Sequence, residues 1–138
     1  MKKIKIETTI KAPLEKIWEY WNGAEHIPHW AFASSEWGAE PVSNDLKEGG
    51  RFVTKMFAKD GSSSFDFSGV YTKVNPYTEL DYTLDDGRTV TVDFEKVSDD
   101  EVRIVQEFEM EDQNTEEMQR AGWQAYLDNF KKYVESQA

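Results

Sequence analysis

The 138-residue sequence predicts an α+β fold: a curved antiparallel sheet wrapped around a long C-terminal helix, with two short helices after the first strand. Three observations predict it. From Gly50 onward, runs of alternating apolar and polar residues are separated by turn pairs such as Asp60-Gly61 and Asp86-Gly87, the pattern of successive hairpins. Residues 114–138 carry apolar side chains at helical spacing. Between the first strand and the hairpins lies a second, shorter helical pattern. Residues 1–138 are read as one domain, a length that buries roughly two thirds of the surface its unfolded chain exposes.

Taken in order, "KIKIETTI" places Ile4, Ile6, Thr8 and Ile10 on one side, the period of a half-buried strand. In "KAPLEKIWEYWN", Pro13 suits a first helical turn, and Leu14, Ile17, Trp18 and Trp21 share one face up to the Asn22-Gly23 stop. "AEHIPHW" reads as a second short helical segment limited by Pro28. Residues 31–49 show no period and are expected to be irregular. The strands that follow have inward rows Phe65, Phe67, Gly69, Tyr71; Leu80, Tyr82, Leu84; Val90, Val92, Phe94; and Val102, Ile104, Gln106, Phe108, Met110. Asp81, Asp93, Glu95, Arg103, Glu107 and Glu109 occupy the opposite face, so one face is covered and the other wetted. The cover is the last segment. Asn114 and Glu117 suggest a capping box, Trp123, Leu127, Phe130 and Val134 form the stripe, and Met118, Gly122 and Ala125 lie beside it.

Composition narrows the function classes. Nineteen aromatic residues make disorder a poor reading. The formal charge of −11 and the lack of any Lys/Arg run longer than two argue against nucleic acid and anionic membrane surfaces as partners. With no cysteine, thiolate nucleophiles, disulfides and zinc-thiolate sites are excluded. The amino terminus lacks the apolar core of a signal peptide and no stretch reaches membrane-spanning length, so a cytoplasmic location without membrane insertion is expected.

Few residues present themselves for chemistry. His26 and His29, three apart in "EHIPHW", could supply two metal ligands with Glu25 or Glu36 nearby. Pro28 upsets their phase and no third histidine or cysteine exists, so no metal and no other cofactor is expected. One histidine is expected solvated and the other packed by an inward Trp30. The serines at 34, 35, 62, 63, 64 and 68 lack the setting of a nucleophile, and "EGG" at 48–50 lacks the Lys-Ser/Thr of a phosphate loop, so it reads as a turn or bulge. Gln106 stands out. A buried amide requires partners, here a structural bond near a bulge or the polar group of a ligand.

Four stretches, "APLEKIWEYW", "EGGRF", "FSGVYTKVNP" and "RAGWQAYLDNFKKYVE", resemble proteins similar to the activator of heat-shock protein 90 ATPase, in the START-related helix-grip superfamily (SRPBCC). They follow the family's order across nearly the whole chain. The resemblance implies a cavity between the long helix and the concave sheet. Trp30, Phe32, Trp37, Phe67, Tyr71, Tyr82, Phe94, Gln106, Trp123 and Leu127 are then expected to bind a small apolar or amphipathic molecule. Non-catalytic binding is the leading expectation. A cochaperone-like domain with a protein partner is the alternative. An enzyme acting on small aromatic or polyketide-like substrates, through His29 or Tyr82 with Gln106, ranks last because no constellation of nucleophile, base and orienting group is visible.

Overall fold

A computed structural model describes residues 2–137. Strand β1 (Lys3–Ile10) leads to helix α1 (Leu14–Asn22) and a 3-10 turn (Ile27–His29). Strands β2 (Trp37–Asn44), β3 (Arg51–Ala58), β4 (Ser64–Asn75), β5 (Glu79–Leu84), β6 (Thr89–Ser98) and β7 (Glu101–Glu109) follow, and helix α2 (Glu116–Ser136) ends the fold. The strands make one curled antiparallel sheet in the order β1-β7-β6-β5-β4-β3-β2. The predicted α+β class and the sheet curled around a long C-terminal helix are both present.

Alternation builds the concave face. Leu80, Tyr82 and Leu84 of β5 are buried, as are Val90, Val92 and Phe94 of β6. Ile4, Ile6 and Ile10 of β1 stand opposite Phe108, Gln106 and Val102 of β7. Gly61 and Gly87 take the positive φ of the two Asp-Gly turns, +81° and +94°. Helix α2 closes one end with Leu127, Phe130 and Val134, none of which keeps exposed surface. The Phe130 ring meets Trp21 and Trp30 edge-on at 4.9 and 4.8 Å. Arg120 and Gln124 of α2 donate to the carbonyls of Lys5 and Glu7 at 2.8 and 3.3 Å, covering part of the open edge of β1.

Five details depart from the sequence reading. Residues 31–49 are not wholly irregular, because Trp37–Asn44 pairs with β3 as the edge strand β2. Its register shifts between Ala39 and Val42, which erases the alternation that would have revealed it. The second helical segment is only the 3-10 turn, since Pro28 leaves no room for a longer ladder. Met118 is 62% exposed rather than packed beside the apolar stripe. Gln106 lies in regular pairing with Ile6 and Val92, away from any bulge.

Finally, the cap of α2 is Thr115, whose hydroxyl accepts from the Met118 N–H at 3.1 Å, and Asn114 lies one residue outside. Thr115→Ala is expected to lower stability by about 1 kcal/mol. Urea unfolding of the two proteins side by side checks this.

The convex face carries a packed acidic group. Asp81 neighbours Glu79 on β5, Asp93 stands opposite Glu79 on β6, and Lys73 of β4 faces Asp81 and bonds Glu79 at 3.1 Å. Partial burial, then the hydrogen bond and charge of Glu79, push the Asp81 carboxyl up to about 6. Its folded-state pKa therefore exceeds the ordinary carboxylate value, and the folded state binds the proton more tightly than the unfolded chain. Stability from this group is fullest at low pH and declines as pH rises from about 4 through about 6. Asp81→Asn is accordingly expected to raise the melting temperature at pH 7.5 and to lose that advantage below pH 4. Thermal melts across that range test it.

Candidate functional site

A pocket of about 290 Å³ opens on the concave face. Its walls come from β3 (Phe52, Thr54, Met56), β4 (Phe65, Phe67, Tyr71), β5 (Leu80, Tyr82) and Gln106 of β7. The rim adds Trp21, Asn22, Ile27, Trp30 and Ala31 from α1 and the 3-10 turn, and Val42, Ser43 and Asn44 from β2. Trp123 and Tyr126 of α2 and Arg88 from the β5–β6 turn complete the lining. The lining is mostly apolar and aromatic, with a few directed polar groups, the usual make-up of a small-molecule site.

The aromatic walls are held by one another. Phe52 contacts Phe67, Tyr71 and Tyr82 with ring centroids 5.0 to 5.8 Å apart. Trp123 stacks on Phe108 at 4.0 Å and meets Phe67 edge-on. Trp30 is fixed by its indole N–H, which donates to the Tyr20 carbonyl at 3.0 Å.

Two polar assemblies reach the interior, and they differ in how fully they are bonded. In the first, the Tyr71 hydroxyl donates to Asn44 Oδ1 at 2.7 Å and Asn44 Nδ2 donates to the Asn22 carbonyl at 2.9 Å. Asn22 in turn donates to the Trp18 carbonyl at 3.0 Å, so this chain ties α1, β2 and β4 together. In the second, Gln106 Nε2 reaches the Tyr82 oxygen only at 3.5 Å, the limit of a hydrogen bond. Both residues are buried, at 5% and 7% exposure, and among the described residues neither makes another side-chain hydrogen bond. Burial pushes the phenols of Tyr71 and Tyr82 well above the ordinary tyrosine range. Both therefore stay neutral donors at any physiological pH.

Of the residues expected to bind a ligand, Trp30, Phe67, Tyr71, Tyr82, Gln106 and Trp123 line the pocket, while Phe32, Trp37, Phe94 and Leu127 do not. Phe94 has the right inward register but lies edge-on against Trp18 and Trp21, where α1 fills the sheet. Leu127 is wholly buried in the core. Trp37 packs on Phe65 at the β2 margin, and Phe32 is a half-buried loop residue whose carbonyl accepts from Asn129. The sequence reading missed Arg88 and Asn44, along with Thr54, Met56 and Tyr126. A signal for Arg88 was present, because it continues the row of Val90, Val92 and Phe94 by one further alternation.

The histidines lie outside the pocket. His26 stacks on Tyr20 at 4.0 Å and its Nδ1 lies 2.8 Å from the Tyr133 hydroxyl, so tyrosines rather than Trp30 pack it. His29 is exposed and stacks on the other tyrosine of that pair, Tyr133, so it cannot form an acid–base pair with Gln106 inside the cavity. Glu19, Glu25 and His26 bring ligand atoms within 4.8 Å of one another at the surface. The engagement of His26 with Tyr133 makes this a packed side chain flanked by solvated carboxylates. Ser68 bonds Asp85 at 2.5 Å, and Asp85 also pairs with Arg51; no histidine takes part. Among the described residues, no helix is long and apolar enough to cross a membrane.

Comparison with known proteins places this architecture. Residues 11–135 match the family model described as activator of Hsp90 ATPase homolog 1-like protein. The solution structure of the AHSA1-like protein from Aeromonas hydrophila is similar at 43% identity and a TM-score of 0.91, covering 98% of this chain and 93% of that one. A solution structure from Cytophaga hutchinsonii is 47% identical over the same shares, with a TM-score of 0.84. A Chromobacterium violaceum crystal structure shares the fold at 20% identity, a TM-score of 0.86 and coverage of 98% and 99%. No curated protein matches.

Proposed function

The chain belongs to the activator of Hsp90 ATPase homolog 1-like family, and on that premise we propose that it is a non-catalytic helix-grip domain that binds a small apolar or amphipathic molecule beneath α2. The observation that carries this reading is the under-bonded Gln106–Tyr82 pair on the wall of an aromatic pocket of about 290 Å³. The amide faces pocket space with one marginal protein partner, so a ligand oxygen can take the Nε2 hydrogen bond that water holds in the free protein. The volume lies at the low end for small-molecule sites, so the ligand is small. Non-catalytic binding fits because the polar groups are amides, phenols, the hydroxyls of Ser43 and Thr54 and one arginine, with no nucleophile beside a base.

Native mass spectrometry of the freshly purified protein against its denatured mass tests this. The reading expects an excess mass that denaturation removes and that Thr54→Phe, which fills the pocket from β3, abolishes. Equal native and denatured masses, with no stabilisation by any small apolar or amphipathic compound, would overturn it.

The family description favours a second reading, an interaction with a chaperone partner. The convex face, with Asp81, Asp93, Glu95 and Glu107, is the surface such a partner would meet. Stimulation of an Hsp90 ATPase that is lost on reversing these charges, but kept in Thr54→Phe, would favour it over the pocket.

A further inference from the structure

Among the described residues, Arg88 is the one charged side chain lining the pocket. It sits where the inward row of β6 runs out past Val90 into the turn, and it is only 17% exposed. Its main-chain carbonyl accepts from Leu84, which fixes it at the mouth of the β5–β6 hairpin. One edge of the guanidinium is occupied, since Nε donates to Asp86 Oδ2 at 2.8 Å. Of five N–H donors, the four on the terminal nitrogens have no protein acceptor among the described residues. A largely buried cation whose paired terminal nitrogens are unspent is shaped for a planar oxyanion held by two parallel hydrogen bonds.

The other polar feature lies along the same wall. Gln106 stands opposite Val92, four residues beyond Arg88 along β6, which separates the two positions by about 13 Å at the rise of a strand. Between them the lining is aromatic, with Phe52, Phe67, Tyr82 and Trp123 offering ring faces and edges. We infer that the pocket selects a small elongated aromatic carboxylic acid, its carboxylate at Arg88 and a hydroxyl at its far end between Gln106 and Tyr82. This assignment rests on the binding reading above and names its ligand class. The long-range field of a chain of charge −11 opposes an anion, so the preference comes from short-range bonds at Arg88 rather than from steering.

The test uses three probes of one shape: 4-hydroxycinnamate, its methyl ester and cinnamate, titrated by calorimetry at pH 7.5. Wild type should bind 4-hydroxycinnamate about tenfold or more tightly than the ester or cinnamate. Arg88→Met should erase the preference over the ester, weakening the acid about tenfold more than the ester, and Arg88→Lys should restore part of it. Gln106→Leu should erase only the preference over cinnamate. Asp86→Asn, which removes the charge competing for Arg88, should tighten 4-hydroxycinnamate and not the ester. Equal affinity of wild type for acid and ester, or an equal loss of both in Arg88→Met, would overturn the assignment while the pocket reading stands. Failure of wild type to bind any of the three would overturn the assignment, while the pocket reading would still be judged by the native mass.

Discussion

Phe130→Ala is expected to lower stability by about 3–5 kcal/mol, a large share of the roughly 5–15 kcal/mol that holds an ordinary domain together. The ring has no exposed surface and fills the space between α2 and the aromatic pair Trp21 and Trp30. Truncating it removes the transfer energy of a buried ring and leaves a void that two large indoles cannot collapse into. The same substitution loosens one of the contacts that hold α2 against α1 and the residue after the 3-10 turn, and Trp30 carries that looseness to the pocket wall. A midpoint drop of roughly 10–20 °C follows from the size of the chain. Met118→Ala on the same helix, at a side chain 62% exposed, should change stability by no more than about 0.5 kcal/mol. Similar losses at the two positions would show that α2 is not gripped through Phe130.

Gln106→Leu is expected to act in the opposite direction and stabilise the ligand-free protein by up to about 1 kcal/mol, since pocket water meets part of the amide's bonding. In the native pocket its amide has a single contact at 3.5 Å while flanked across the sheet by Ile6 and Val92, both essentially buried. Leucine is close in volume, needs no partner and leaves the Tyr82 hydroxyl facing the pocket. A gain in stability accompanied by loss of affinity for a hydroxylated ligand would mark Gln106 as a residue kept for binding. A fall in stability would mark the amide as structural instead. Chemical denaturation of the free protein distinguishes the two.

How much of this was legible before the structure depended on which interaction set each residue's place. Gln106 and Tyr82 could be read because alternation along a strand fixes the face a side chain takes, and β5 and β7 keep their pairing to β6 and β1 without a register shift through them. Depth along that face could not be read. Phe94 and Tyr82 share an inward register, yet α1 fills the sheet over Phe94 and leaves Tyr82 beside the pocket. That difference is made by where the helices cross, a long-range packing outcome. Asn44 was hidden for a local reason, because the register shift around Glu40 and Pro41 removes the period that would have announced β2. Arg88 is not legible as a pocket residue because a charged residue after Asp-Gly reads as the polar tip of a hairpin, although its position continues an apolar row.

The proposed function requires a molecule in the space under α2, and the five tryptophans report on that space. Trp21, Trp30 and Trp123 line it, while Trp18 and Trp37 lie outside. The measurement is a titration of 15N-labelled protein with 4-hydroxycinnamate, following the five indole N–H resonances. Saturable shifts are expected at Trp21, Trp30 and Trp123, with Trp18 and Trp37 nearly still. Shifts led by Trp18 or Trp37, or five unmoved resonances at saturating probe, would contradict it.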